Sequence, residues 1–180
     1  MTLHDSVVGT LSRWAAPDSA QDALRHAMLS FVLGRPDACL RECVPGHVTA
    51  SALVLDHTGG QTLLTLHPRL GRWVQLGGHC EDGDPDIAAA ALREAEEESG
   101  IAGLTIEPMP AALHVHPVTC SLGVPTRHLD VQFVVRAPAD AQITCSDESL
   151  DLRWWPLTGL PDGADHGLRQ LVRAAQTSVE

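Results

Sequence analysis

The sequence predicts an α/β (α+β) sandwich, a mixed β-sheet covered by helices, with an extra helical segment at its N-terminus. Three observations carry this. Apolar residues recur at helical spacing through the first 45 residues. From Val48 the pattern changes to short runs of β-formers separated by Gly-rich turns. A single, strongly acidic helical stretch then sits between strand candidates, and strands mixed with few helices suit a sheet with helices packed on it.

Leu3, Val7, Leu11 and Trp14 mark the first helix, and a second run covers residues 19–33. Pro17-Asp18-Ser19 separates the two, with Ser19 as the expected N-cap. Gly34-Arg35-Pro36 stops the second helix, and Pro45-Gly46 marks the turn into the main domain. Residues 1–45 are therefore expected to be a helical extension and residues 46–180 the principal domain. Strands are expected at 48–56 and 61–67 as a hairpin across His57-Thr58-Gly59-Gly60, then at 73–76, 112–118, 129–137 and 150–155. Helices are expected at 86–99, stopped by Gly100, and at 167–176.

At 180 residues the chain fits one ordinary domain, and 44% hydrophobic residues suffice for a proper core. Twelve Lys and Arg against 23 Asp and Glu give a formal charge of -11, which repels phosphate backbones and argues against nucleic acid polymers as partners. A small anionic ligand would need a bound cation to cancel the local charge. Aromatics are only 3%, with no Tyr, so ring stacking on a base has few side chains to draw on. Cys39, Cys43, Cys80, Cys120 and Cys145 contain no C-x-x-C pair, which suggests reduced thiols. The start MTLHDSVVGTLSRW lacks a cationic leader before an apolar run, and no stretch reaches the ~18 apolar residues of a membrane span. No membrane partner is expected, and the cytoplasm is the expected compartment.

The chemistry is expected on the acidic helix. In ALREAEEESGI, Glu94, Glu97 and Glu98 stand at i, i+3 and i+4 and so share one face, while Ala88, Ala91, Leu92 and Ala95 form a separate packing stripe. Like charges at these spacings cost ~0.2–0.5 kcal/mol per pair, and they lie toward the negative end of the helix dipole. A hard divalent cation would offset both effects. A merely solvated acidic face is the alternative reading. What decides against it is Gly77-Gly78, at a fixed distance upstream, where the backbone can approach the same ion closely.

Residues 78–101, GHCEDGDPDIAAAALREAEEESGI, closely resemble the box of the Nudix family, G-x5-E-x7-R-E-U-x-E-E-x-G-U with U aliphatic. Arg93, Glu94, Ala95, Glu97, Glu98, Gly100 and Ile101 match its second half without a gap, and Gly78 and Asp84 match the first. Asp84 stands where the family has Glu, and eight residues rather than seven separate it from Arg93. The extra residue is expected near Asp84-Pro85-Asp86.

The resemblance implies a Nudix-like α/β/α sandwich and metal-dependent hydrolysis of a diphosphate linkage in a nucleoside diphosphate derivative or similar small compound. It further implies Mg²⁺ or Mn²⁺ held by Glu94, Glu97 and Glu98 with the Gly77 carbonyl assisting, and Arg93 orienting Glu94. A catalytic carboxylate outside the box is expected at Glu148, with Asp147 in reserve. Candidate substrate contacts are His79, His114, His116 and His128, for which edge-strand or surface placement is the alternative, and Trp73, whose alternative is packing. A separate histidine metal site is disfavoured because no His-x3-His spacing accompanies them. A homodimer through the N-terminal helices is a further expectation. Two competing readings are a non-catalytic ligand-binding sensor, which would typically lose box carboxylates, and a prenyl diphosphate isomerase, for which Cys80 is the sole support.

Overall fold

The computed structural model describes residues 1–119, 123–145 and 149–177. Two N-terminal helices, α1 (Leu3–Arg13) and α2 (Ser19–Gly34), precede β1 (His47–Leu55) and β2 (Gln61–His67). Then come β3 (Arg72–Val74), β4 (Leu76–His79), α3 (Ile87–Ser99), β5 (Thr105–Ile106), β6 (Ala112–Thr119), β7 (Pro125–Arg136), β8 (Leu152–Pro156) and α4 (His166–Thr177). No helix among the described residues is long and apolar enough to cross a membrane.

The strands form one mixed sheet with the path β3-β2-β1-β7-β5, to which β4 adds on β1, β6 on β7 and β8 on β2. The central β1–β7 pair is parallel, and the other pairs are antiparallel. Because side chains alternate along a strand, the register sorts β1 into two faces. Val48, Ala50 and Ala52 stand beside Leu129, Val131 and Phe133. Val48 and Ala50 pack with Ile87, Ala90 and Ala91 of α3 and with Val7, Leu11 and Met28 of the first two helices. On the opposite face Leu53, Leu55 and Val134 pack against Leu168, Leu171 and Val172 of α4. Helices thus cover both sides of the sheet, the sandwich expected from the sequence.

The N-terminal helices are tied to α3 and β6 by more than apolar contact. Ser6 Oγ accepts from the backbone N–H of Ile87 at 3.1 Å, satisfying a donor in the first turn of α3 that the helix itself leaves unpaired. Gln21, buried, donates from Nε2 to the Leu113 carbonyl at 3.0 Å, and its Oε1 accepts from the Leu113 N–H at 2.7 Å. One side chain therefore supplies β6 with the two bonds a neighbouring strand would make.

Several boundaries differ from expectation for local reasons. Asp18, not Ser19, caps α2, its carboxylate accepting from the Gln21 N–H at 2.8 Å. The stretch expected as a single strand at 73–76 is two strands, and Gly77 and Gly78 lie within β4, paired with Ser51 and Ala50, rather than in a loop. The two-residue β5, held to the end of β7, was not anticipated. Trp154 and Trp155 do alternate faces, Trp154 packing with Leu152 and Trp155 on the α4 side.

Candidate active site

α3 starts and stops where the sequence dictates. Asp86 caps its N-terminus, the carboxylate accepting from the Ala89 N–H at 2.8 Å, and Gly100 ends it at φ 68°. The four alanines at 88–91 favour the helix, and Ala90, Ala91 and Ala95 are buried against the sheet. That docking leaves Glu94, Glu97 and Glu98 on a separate face beside β4.

Two glycines make the approach of β4 to α3 feasible. The Gly77 N–H donates to Glu98 Oε2 at 3.0 Å. A Cβ on Gly78 would stand 2.7–2.8 Å from the Glu94 carboxylate, so the missing side chain is the space that Glu94 occupies. Gly77 is constrained by backbone as well: its φ is 144°, and a Cβ there would come within 2.6 Å of the Ala50 carbonyl oxygen.

Arg93 organises this acidic face. Its Nε and Nη2 donate to the two Asp84 oxygens at 2.9 and 3.2 Å, and its Nη1 donates to Glu94 at 3.1 Å and Glu97 at 2.9 Å. Nη2 also reaches the His79 carbonyl at 3.0 Å. Hydrogen bonding to Asp84 above all, with the Glu94 charge adding to it, raises the guanidinium pKa further above its ordinary value. The role of Asp84, open at the level of sequence, is thereby given. It is a buried carboxylate that grips Arg93 and also accepts from the Glu81 N–H at 2.7 Å. The link from Asp84 to Arg93 is made across the eight residues between them.

The other face of β4 carries a different set of groups. Thr49 pairs with His79 across β1–β4, His47 with His128 across β1–β7, and His114 and His116 face Asp130 and His128 across β6–β7. The ring centroids of His47, His79 and His128 lie 5.0–5.1 Å apart, His116 is 5.2 Å from His128, and His114 stacks on His116 at 5.2 Å. Beside them the buried Asp130 carboxylate accepts from Thr49 Oγ1 (3.0 Å), Ser51 Oγ (2.7 Å) and Gln132 Nε2 (3.0 Å). Three neutral donors thus hold a charge that would be costly to bury alone. Burial lowers the imidazole pKa to about 4 at His79 and about 3 at His128, and also lowers that of His47, so these rings stand neutral at pH 7.

The structure brings His79, His114, His116 and His128 to one sheet face and adds His47, which sequence reasoning missed. Its signal was present: His47, Thr49 and Ser51 alternate as polar residues within an otherwise apolar strand. The lack of His-x3-His spacing, used against a histidine metal site, does not carry into space. His47, His79 and His128 each offer a ligand atom within 4.8 Å of the others. Trp73 is not among these groups. It makes an edge contact with Trp155 at 5.4 Å and lies under the Arg153 guanidinium. Glu148 and Asp147 lie outside the described residues. Cys80 is partly buried with its thiol 3.7 Å from the Val48 carbonyl oxygen, and burial raises its pKa, which suits packing rather than proton transfer.

Comparison with known proteins agrees with this architecture. The sequence profile of the NUDIX domain matches residues 45–175, so the chain belongs to the Nudix family. No curated protein sequence matches. Among solved structures, a MutT NUDIX hydrolase from Burkholderia pseudomallei is similar with a TM-score of 0.53 and 22% identity, covering 72% of this chain and 97% of its own. The C. elegans Ap4A hydrolase gives 0.52 and 22%, over 74% and 98%. The NUDIX domain of Shewanella oneidensis NrtR, solved with ADP ribose, gives 0.51 and 21%, over 74% and 88%.

Proposed function

We propose that this chain hydrolyses the diphosphate linkage of a nucleoside diphosphate derivative or a similar small diphosphate compound, using Mg²⁺ or Mn²⁺. The observation that carries this is the seating of the Glu94 carboxylate in the space left by Gly78, with Glu98 bonded to the Gly77 N–H. That arrangement brings carboxylate oxygens and a backbone turn of β4 together, a donor set suited to a hard, oxygen-seeking ion. Glu94, Glu97, Glu98 and the Gly77 carbonyl would hold it. When bound, such an ion supplies charge neutralisation for the diphosphate and acidifies the attacking water.

The chain's own residues set the geometry. Arg93 is a positioning residue: it fixes Glu94 and Glu97 through charge-assisted bonds and is itself fixed by Asp84. Hydrolysis forms a bond from water oxygen to phosphorus and breaks the bridging P–O bond, with the water proton passing to a carboxylate. Glu148 is the proposed acceptor, and Asp147 the reserve. His79, His114, His116 and His128 would line the substrate side of the sheet, the neutral rings donating hydrogen bonds to phosphate or hydroxyl oxygens. Retention of all three box glutamates and burial of Cys80 favour hydrolysis over a sensor or an isomerase.

The test is a panel of ADP-ribose, dinucleoside polyphosphates and nucleoside triphosphates, assayed for phosphate release with Mg²⁺ or Mn²⁺. Wild type is expected to turn over at least one compound, and Glu97→Gln and Glu98→Gln to lose at least ~100-fold in turnover, the scale of removing a principal electrostatic element. Equal activity in both variants would overturn the site.

A further inference from the structure

Gly78 and His79 are neighbours in sequence, yet alternation along β4 sends them to opposite sides of the sheet. Gly78 pairs with Ala50 on the α3 side, and His79 pairs with Thr49 on the other. Behind the acidic face of α3 there is consequently a second cluster with a different donor chemistry.

We propose that His47, His79 and His128 form a second metal site, separate from the box glutamates, which takes a borderline divalent transition-metal ion such as Zn²⁺ through three imidazole nitrogens. One ligand atom from each ring lies within 4.8 Å of the other two. Two nitrogens on a tetrahedral zinc stand ~3.4 Å apart, given bonds of about 2.0–2.1 Å, so small χ rotations close the set. The three rings come from β1, β4 and β7, whose hydrogen-bonded register fixes their relative positions.

Two further observations point to a ligand. His128 Nε2 is fully shielded and has no hydrogen-bond partner. Burying a polar nitrogen in that state is unfavourable, and metal coordination would satisfy it. His47 Nδ1 lies 3.4 Å from the Cys43 carbonyl oxygen. A proton held there puts the lone pair on Nε2, and a backbone carbonyl behind the ring is the usual outer partner of a metal-bound histidine. Nitrogen donors without a carboxylate select Zn²⁺, Co²⁺ or Ni²⁺ over Mg²⁺. His116 packs edge-to-face with His128, the ring centroids 5.2 Å apart.

This site does not depend on the reading of the glutamates, and one experiment separates the two. Full-length protein, stripped with a chelator, is titrated with ZnCl₂ in excess Mg²⁺, and the zinc shell is read by X-ray absorption. One zinc per chain is expected, with only nitrogen and oxygen neighbours, unchanged in Glu97→Gln. Affinity should fall more than ~100-fold in His128→Ala, since even outer-shell changes cost about 10–100-fold. His79→Gln provides a second test if the first variant does not fold, as judged by circular dichroism. No zinc uptake, equal uptake by a folded histidine variant, sulfur in the shell, or loss confined to Glu97→Gln would each overturn the proposal.

Discussion

Arg93 and Asp84 meet fork to fork, Nε on Oδ1 at 2.9 Å and Nη2 on Oδ2 at 3.2 Å, with the Asp84 side chain 4% exposed. Eight residues lie between them in sequence, so this pair closes the Glu81–Asp84 turn onto α3.

Replacing Asp84 with Ala should remove both bonds and leave the Glu81 N–H without its acceptor. Charged hydrogen bonds contribute about 1.5–3 kcal/mol, so urea denaturation should show a loss of that order. Turnover should fall as well, because Arg93 would then be free to swing toward Glu94 and Glu97. Unchanged stability would refute the bracing role.

The two glycines should respond differently to alanine. Gly78→Ala meets only the mobile end of Glu94, so the fold should survive while turnover drops ~100-fold, as for loss of an electrostatic element. Gly77→Ala meets the Ala50 carbonyl and the Ser51 Cα and Cβ at a φ suited to glycine, so expression or melting temperature should suffer first. Paired melting and activity measurements on the two variants distinguish the cases.

Gln21→Leu leaves the Leu113 N–H and carbonyl without partners, and Ser6→Ala does the same to the Ile87 N–H. Each should cost about 1–3 kcal/mol. Turnover measured well below the melting temperature should remain within a few-fold of wild type for Gln21→Leu, and stability unaltered in either variant would show that the N-terminal helices are not bonded as described.

A pH effect is expected in the β1–β2 turn. Burial alone would raise the Asp56 carboxyl, but bonds from Thr58 Oγ1 and the Gln61 and Gly60 N–H groups outweigh it and leave it below its ordinary value. A lowered folded pKa contributes stability that is present above the unfolded value of about 3.9 and is lost as pH falls through the folded one. Asp56→Asn should therefore be less stable than wild type at pH 7, and the gap should narrow below about pH 4. A gap independent of pH would argue against the ionised form as the acceptor.

What was legible in the sequence was what depends on local spacing. Glu94, Glu97 and Glu98 share a face because of the 3.6-residue period alone, and Asp86 and Gly100 bound the helix by their own chemistry. The hairpin at Gln61–His67 was equally readable from its glycines. The histidine cluster was not, since His47, His79 and His128 meet only through the parallel register of β1 with β7 and the addition of β4 to β1. Local spacing carries no trace of that pairing. Gly77 and Gly78 were read as a turn because glycines usually are. Here they lie within β4, Gly77 at a positive φ, and serve instead as clearance for Ser51 and Glu94.

The bonds from Gln21 to Leu113 bear on how the chain behaves in crowded solution. β6 is an outermost strand, paired on one side only, and such a border invites a second molecule to add to the sheet and begin a fibre. Gln21 occupies the bonding groups of Leu113, and Pro117, four residues further on, offers no N–H to an incoming strand. A variant deprived of α2 would expose that border, and loss of solubility on standing would precede any loss of catalytic competence.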